Sequence, residues 1–368
     1  MNILALNPFH GGSHKAFLET WIAHSRHSFT VMTQPATRWK WRMRQSAVAF
    51  AAECEQRFAN SDLPDVVFTT DMLSLAEFRG LCPLLAIVPV VVYFHENQLT
   101  YPDSPEESAN VRQPVVDMQP AFSNFCSALA ATEVWFNSNF HRQDYLAATR
   151  EWLSKMPDGN LAERVDEIQS KSSVQYPPVE LLTRASTISR TKNPPHIVWV
   201  ARWEHDKRPD IFFAALQTLK DSGFEFRLSV LGETHAQQAE RFAAAHTEFQ
   251  ENVEAWGYQD SRNDYERVLQ SGDIVVSTAV HEFFGIAIVE AVSAGCCPVV
   301  PNALAYPEVL GTTLPVFHDG TINGVASAIR DCAESLSEKS ELPSQIAEAF
   351  RAQKRVAEMD TSIERVAV

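Results

Sequence analysis

The segment His281-Glu282-Phe283-Phe284-Gly285-Ile286-Ala287-Ile288-Val289-Glu290 sets two carboxylates eight positions apart around a glycine and an apolar run. The run leads from a loop into a helix, so Glu282 precedes that helix and Glu290 lies about two turns inside it. Amides at a helix start, beside a glycine that admits close approach, suit a diphosphate. A carboxylate ahead of the helix can accept hydrogen bonds from sugar hydroxyls, and one inside it can hold a ribose diol. The plain alternative is a capping residue and a solvated helix position. A second cluster, Ala201-Arg202-Trp203-Glu204-His205-Asp206-Lys207, places one cation at a strand end and another at the next helix start. Together they would stabilise the charge that grows on a departing diphosphate. An exposed Arg/Lys pair is the competing reading.

Three further clusters lie in the first half. Gly11-Gly12-Ser13-His14-Lys15 is a glycine-rich turn after the first strand, suited either to a phosphate or sugar or to a tight strand-to-helix turn. Tyr93-Phe94-His95-Glu96-Asn97-Gln98-Leu99-Thr100-Tyr101 gathers polar groups where a strand should end, the usual ligand edge of a parallel sheet. His95 there could touch a donor sugar or assist an acceptor hydroxyl. Thr37-Arg38-Trp39-Lys40-Trp41-Arg42-Met43-Arg44 interleaves four cations with two indoles. That pattern fits a nucleic-acid backbone with an unstacked base, or an amphipathic segment with its rings in the core.

The elements that must carry these groups alternate. Apolar strand patterns fall at 2–7, 28–33, 66–69, 88–94 and 133–137, then at 196–201, 226–231, 273–277, 297–300 and 314–317. Helical patterns lie between them at 13–23, 113–130, 139–156, 209–220, 236–245, 284–294 and 321–335, with a last one at 343–356. Continuous Val/Ile/Leu runs separated by helices indicate parallel strands covered on both faces. Pro177, Pro178, Pro194 and Pro195 mark a break between the halves. The expected plan is a domain at 1–176, a linker at 177–195 and a second domain at 196–368, the last helix being free to pack back toward the first. Two such units form a cleft where ligands bind.

Composition narrows the classes. The chain has 368 residues, 45% hydrophobic and 21% charged, as in soluble globular proteins. A net charge of −15, spread over both halves, argues against a general nucleic-acid or anionic-membrane binder but leaves room for a local basic patch. The longest nearly apolar stretch, 81–94, is too short for a membrane span and holds Pro83 and Pro89. Neither a signal peptide nor a CxxC pair is visible, so the six cysteines are expected as free thiols in the cytoplasm. No D-x-D and no His/Cys/carboxylate cluster with ligand spacing occurs, so no metal is expected.

The stretch 281–308, with Ala291-Val292-Ser293-Ala294-Gly295-Cys296-Cys297-Pro298-Val299-Val300 and Glu308, resembles the retaining family 4 glycosyltransferases of GT-B fold. The resemblance implies an α/β chain of two Rossmann-like domains with parallel sheets facing across a cleft. It implies that Glu282 and Glu290 hold the donor sugar and ribose, that amides around Phe283, Phe284, Gly285 and Ile286 carry the phosphates, and that Arg202 and Lys207 assist them. Ala201 stands where that family usually has glycine. The first half is similar to a narrower group through Asn7-Pro8-Phe9-His10-Gly11-Gly12-Ser13-His14-Lys15, residues 38–42, Thr69-Thr70-Asp71-Met72, residues 94–102 and Phe136-Asn137-Ser138. This is the glycosyltransferase-like family that includes tRNA-queuosine alpha-mannosyltransferase. It implies transfer of mannose from GDP-mannose, as co-substrate, to a cyclopentenediol hydroxyl of queuosine in the anticodon loop of tRNA-Asp. Gly11, Gly12 and His95 would meet the donor sugar, with His95 catalytic beside Glu282, Arg202 and Lys207. His14, Arg38, Trp39, Lys40, Arg42, Glu96, Asn97, Gln98 and Tyr101 would meet the acceptor. Other readings are a transferase with another nucleotide sugar and a small-molecule or glycan acceptor, and a non-catalytic nucleotide-sugar or RNA-binding module.

Overall fold

The computed structural model describes residues 1–102, 118–157, 161–183, 194–233, 239–337 and 342–367. They form two compact units, the first holding Met1–Tyr101, 118–178 and the segment from Ala352 onward, the second Val179–Arg351.

The sheet of the first unit contains β1 (Asn2–His10), β2 (Ser28–Pro35), β3 (Val66–Thr70), β4 (Val90–Phe94), β5 (Glu133–Phe136) and β6 (Ser172–Val174), in the order β2-β1-β3-β4-β5-β6. Every pairing is parallel. β3 and β4 are wholly buried, as expected of Val-rich strands covered on both faces. Helices of this unit among the described residues include α1 (Gly12–His24), α2 (Trp39–Phe58), α3 (Leu75–Leu81), α4 (Gln119–Ala130), α5 (Asn139–Ser154) and α6 (Arg164–Ser170). The chain reverses its lateral direction between β1 and β3. Loops leaving the carboxyl ends of such strands diverge there and leave a crevice. Gly11 follows β1 and Asp71 follows β3, so the sequence motifs flank this point.

The second sheet repeats the plan with β7 (His196–Val200), β8 (Arg227–Leu231), β9 (Val253–Gly257), β10 (Ile274–Val276), β11 (Cys297–Pro301) and β12 (Val316–His318), in the parallel order β12-β11-β10-β7-β8-β9. Its helices are α7 (Pro209–Asp221), α8 (Ala239–Glu248), α9 (Arg262–Ser271), α10 (Ile286–Ser293), α11 (Tyr306–Leu310), α12 (Ile322–Ser335) and α13 (Leu342–Ala347). The lateral reversal lies between β7 and β10. Arg202 and Lys207 follow β7, and the segment with Glu282 follows β10.

The helix expected at 343–356 is instead two pieces. α13 ends at Ala347, a 3-10 turn spans Glu348–Phe350, and α14 runs from Ala352 to Val366. α14 belongs to the first unit and packs Val356, Met359 and Ile363 against Phe17, Trp21 and Trp135. Its buried Asp360 accepts from Trp21 Nε1 at 2.8 Å, Ser25 Oγ at 2.7 Å and the Arg26 amide at 2.9 Å. β6 and β9 had no strand signature because edge strands need no continuous apolar run; β6 reads Ser-Ser-Val and β9 is only partly buried. The apolar stretch 81–94 starts on the last residue of α3, passes through a 3-10 turn at Pro83–Leu85 and becomes strand only from Val90. α4 and α8 begin at Gln119 and Ala239; the earlier parts of those two expected helices, 113–117 and 236–238, lie outside the described residues, as does 184–193 of the linker. Val179 and Leu182, in the expected linker, are tied to Arg351 by a β-bridge and to Ser293 Oγ by a 2.8 Å bond. All six cysteines are free.

Asp360→Ala leaves three donors without their acceptor and should cost about 3 kcal/mol. A melting curve of the variant should show the first unit unfolding roughly 5–10 °C lower.

Candidate active site

In the second unit the geometry centres on Lys207. A 3-10 turn over His205–Lys207 follows β7 and brings the side chain under the loop after β10. Its Nζ donates to the His281 carbonyl at 2.8 Å and lies 3.0 Å from Asp206 Oδ2 and 3.3 Å from Glu282 Oε2. Burial pushes the ammonium down, but the carboxylates of Glu282 and Asp206 outweigh it and hold it above its ordinary value. Lys207 therefore stays a cation. The Lys207 carbonyl in turn accepts from Thr278 Oγ1 at 2.8 Å, so the two loops are stitched twice. Arg202 is half exposed and sits 3.2 Å from Glu204.

Gly285 ends the β10 loop with φ +86° and is the N-cap of α10. A side chain is strained there, and the turn frees the first amides of α10 for an anion. Phe283 and Phe284 are buried beside it, and Ile286 opens the helix. Tyr306 packs against Gly285 and bonds Ser277 Oγ at 2.6 Å. Glu290 is the fifth residue of α10, a little over one turn in, and is buried where a solvated position was the plain alternative. Its two oxygens accept from Arg262 Nη2 and the Tyr265 hydroxyl, each at 2.7 Å.

In the first unit, His95 follows β4 and lies against His14 of α1, with ring centroids 3.8 Å apart and the planes tilted by 35°. The Phe17 and Tyr93 rings also lie against it. Burial first, then His14 and His141, hold the His95 imidazole well below its ordinary pKa, so it is neutral. Its Nε2 is buried without a hydrogen-bond partner among the described residues. Asn137 Nδ2 supports the His95 carbonyl at 3.2 Å, and Asp71 Oδ1 accepts from the His95 amide at 3.3 Å. Asn97 Oδ1 accepts from the Leu99 amide, and Asn97 Nδ2 and Thr100 Oγ1 both reach Asp144 at 2.8 Å. Glu96, Gln98 and Tyr101 line the same partly buried turn. Gly11 abuts the turn before α2: a Cβ there would fall 2.3 Å from Ala36 Cβ. Gly12 adopts φ +51°. Gly11 thus lets the ends of β1 and β2 approach closely. Two residues past Ala36, Arg38 is the N-cap of α2. The rings that follow are not in the core. Trp39 is 38% and Trp41 57% exposed, among exposed Arg38, Lys40 and Arg44, while Arg42 Nε bonds the Pro35 carbonyl at 3.1 Å.

Comparison with known proteins decides the family. The family model for the tRNA-queuosine alpha-mannosyltransferase N-terminal region matches residues 2–179, and that for glycosyl transferases group 1 matches residues 185–352. A tRNA-queuosine alpha-mannosyltransferase from Drosophila melanogaster is 36% identical over 318 residues, 84% of this chain and 81% of that protein. The chain belongs to the tRNA-queuosine alpha-mannosyltransferase family. It is a glycosyltransferase, and its fold is GT-B. Anabaena HepE, solved with UDP, superposes with a TM-score of 0.65 at 18% identity over 99% of each chain. Sucrose-phosphate synthase from Thermosynechococcus elongatus gives 0.72 at 14% identity, over 100% of this chain and 99% of that one. At these identities the two structures speak for the fold alone.

Sequence reasoning missed four residues of this transferase's polar framework: Asp71, Asp206, Arg262 and Tyr265. Asp71 lay within a quoted motif and Asp206 beside Lys207, and burial singles both out. Arg262 and Tyr265 carried no signal, since only the tertiary fold brings α9 to Glu290.

Burial, then the neighbouring Glu96, raise the Asp71 carboxyl to about 8. A carboxyl that holds its proton more tightly folded than unfolded contributes stability that is full in acid. That contribution is lost as pH rises through the folded value. The melting temperature of the first unit should therefore fall between about pH 4 and about pH 8, and Asp71→Asn should flatten that fall. An equal fall in both proteins assigns it to another group.

Proposed function

We propose that this transferase moves mannose from GDP-mannose to a cyclopentenediol hydroxyl of queuosine in the anticodon loop of tRNA-Asp. The observation that carries this reading is the 36% identity, over most of both chains, with the Drosophila enzyme of that name. Glu290 is assigned to the ribose, Glu282 to the mannose, and Arg202, Lys207 and the amides at Phe283–Ile286 to the diphosphate. Gly11, Gly12 and His95 are assigned to the transferred sugar. His14, Glu96, Asn97, Gln98 and Tyr101 are assigned to the acceptor. The acceptor oxygen attacks mannose C1 from the face that the diphosphate leaves. The C1–O bond to the β-phosphate breaks as the new one forms, and the hydroxyl proton passes to the departing phosphate oxygen. Retention follows without a covalent enzyme intermediate. A buried lysine aimed at the leaving group supplies positive charge where negative charge grows.

We also propose that the reaction needs no metal. Lys207, Arg202 and the α10 amides supply the positive field, and no cluster of three His, Cys, Asp or Glu able to hold an ion occurs among the described residues. With a tRNA as acceptor, we assign the reaction to the cytoplasm. No helix among the described residues is long and apolar enough to cross a membrane.

The acceptor surface is assigned to the start of α2. Two exposed indoles among Arg38, Lys40, Arg42 and Arg44 give an unstacked base a ring to stack on and its phosphates cations to meet. This local patch answers the acidic net charge, which is otherwise unfavourable for RNA.

The test is to incubate queuosine-containing tRNA with GDP-, UDP- and ADP-hexoses and analyse the digested nucleosides by mass spectrometry. A queuosine carrying one added hexose only with GDP-mannose is expected; transfer from another nucleotide sugar alone removes the donor assignment. Glu282→Ala and Lys207→Ala should each lower turnover by on the order of a hundredfold or more while keeping the fold by circular dichroism. Near-normal turnover in either sinks the roles given to them. Trp41→Ala combined with Arg44→Ala should raise the KM for tRNA about tenfold and leave acceptor-free hydrolysis of the donor unchanged. An unaltered KM removes this surface from acceptor binding.

A further inference from the structure

Glu290 is gripped from α9, an element outside every motif assigned to the donor. Ser261 caps that helix, its Oγ accepting from the Asp264 amide at 3.3 Å. Arg262 and Tyr265 stand three residues apart and so share a helix face. Each reaches a different oxygen of the same carboxylate at 2.7 Å. Arg262 is itself fixed: its Nε donates to Glu266 Oε1 at 2.7 Å, and its guanidinium lies 5.1 Å from the Tyr265 ring centre. Burial first, then the Glu290 carboxylate, push the Tyr265 hydroxyl well above its ordinary pKa, so it remains a donor. Burial opposes the Arg262 charge, and Glu290 outweighs it.

A carboxylate offers about four lone-pair sites. Arg262 and Tyr265 occupy one on each oxygen, so each oxygen keeps capacity for one more donor. Two remaining acceptors on adjacent oxygens match the two hydroxyls of a vicinal diol. A glutamate free to rotate would lose side-chain freedom on binding such a diol; one already fixed would not.

We infer that Arg262 and Tyr265 are positioning residues of the donor site, which set Glu290 to receive both ribose hydroxyls at once and so select ribonucleotides over deoxyribonucleotides. The inference rests on the assignment of Glu290 to the ribose. It differs from a purely structural role in one measurable respect: a staple between α9 and α10 would strengthen the fold but would not change the relative affinity for nucleotides that differ by one hydroxyl.

The experiment is calorimetric titration of the full chain with GDP, 2′-deoxy-GDP and 3′-deoxy-GDP. It is run on the wild type, Tyr265→Phe, Arg262→Gln and Glu290→Ala, with a melting curve for each. The wild type should lose about tenfold in affinity for each missing hydroxyl. Tyr265→Phe and Arg262→Gln should each compress at least one of these ratios to about threefold or less. Glu290→Ala should abolish both. If Glu290→Ala loses the discrimination while Tyr265→Phe and Arg262→Gln keep it in full, the positioning role is wrong and the ribose assignment stands. If Glu290→Ala keeps the discrimination, the ribose assignment falls and the inference with it. Should the protein bind uridine but not guanosine nucleotides, the GDP assignment fails and the uridine series decides the positioning role by the same ratios. Either positioning variant suffices if the other does not fold.

Discussion

The second unit is organised around one lysine that is kept charged in a place where burial opposes charge. Lys207 can sit there because Asp206 and Glu282 face it and the His281 carbonyl accepts its third bond. Those partners come from the segments after β7 and after β10, the pair of strands at which the sheet reverses direction. The ion cluster therefore does two things with one set of atoms. It closes the gap that a parallel sheet leaves at its reversal point, and it stores a cation beside the helix start at Gly285. A buried pair of this kind is weak evidence for added stability, since desolvation offsets most of its attraction. Its worth lies in fixing where Glu282 and the amides of α10 stand.

The first unit uses neutral chemistry at the corresponding place. The His95 and His14 rings lie 3.8 Å apart at a 35° tilt, and burial, with His14 so close, disfavours charge on His95. Asp71 is likewise held toward its protonated form. The first unit thus buries a neutral imidazole and a carboxyl held toward its protonated form where the second buries a cation.

Much of this was legible in the residues. The strand-helix alternation gave the fold class, because strands buried on both faces must be apolar throughout. The glycines at 11 and 285 declared turns that a side chain would obstruct. What stayed hidden is what depends on tertiary approach. Trp39 and Trp41 could equally have been core rings, since their spacing does not tell which side of α2 the sheet covers. Arg262 and Tyr265 sit in an ordinary polar helix and acquire meaning only from Glu290. β6 and β9 lacked a signature because an edge strand is not obliged to be apolar. The break after Ala347 is invisible to helical periodicity, since α13, the turn and α14 are all rich in good helix formers.

The return of α14 to the first unit has a consequence for how the molecule is made. Val356, Met359 and Ile363 cover part of the apolar face formed by Phe17, Trp21 and Trp135, and Asp360 satisfies the indole of Trp21. Those residues leave the ribosome only after the whole second unit has been synthesised. The first unit is therefore first in sequence but last to be completed. Until α14 emerges it carries an uncovered aromatic face, the kind of transiently exposed apolar surface that makes folding intermediates prone to aggregate.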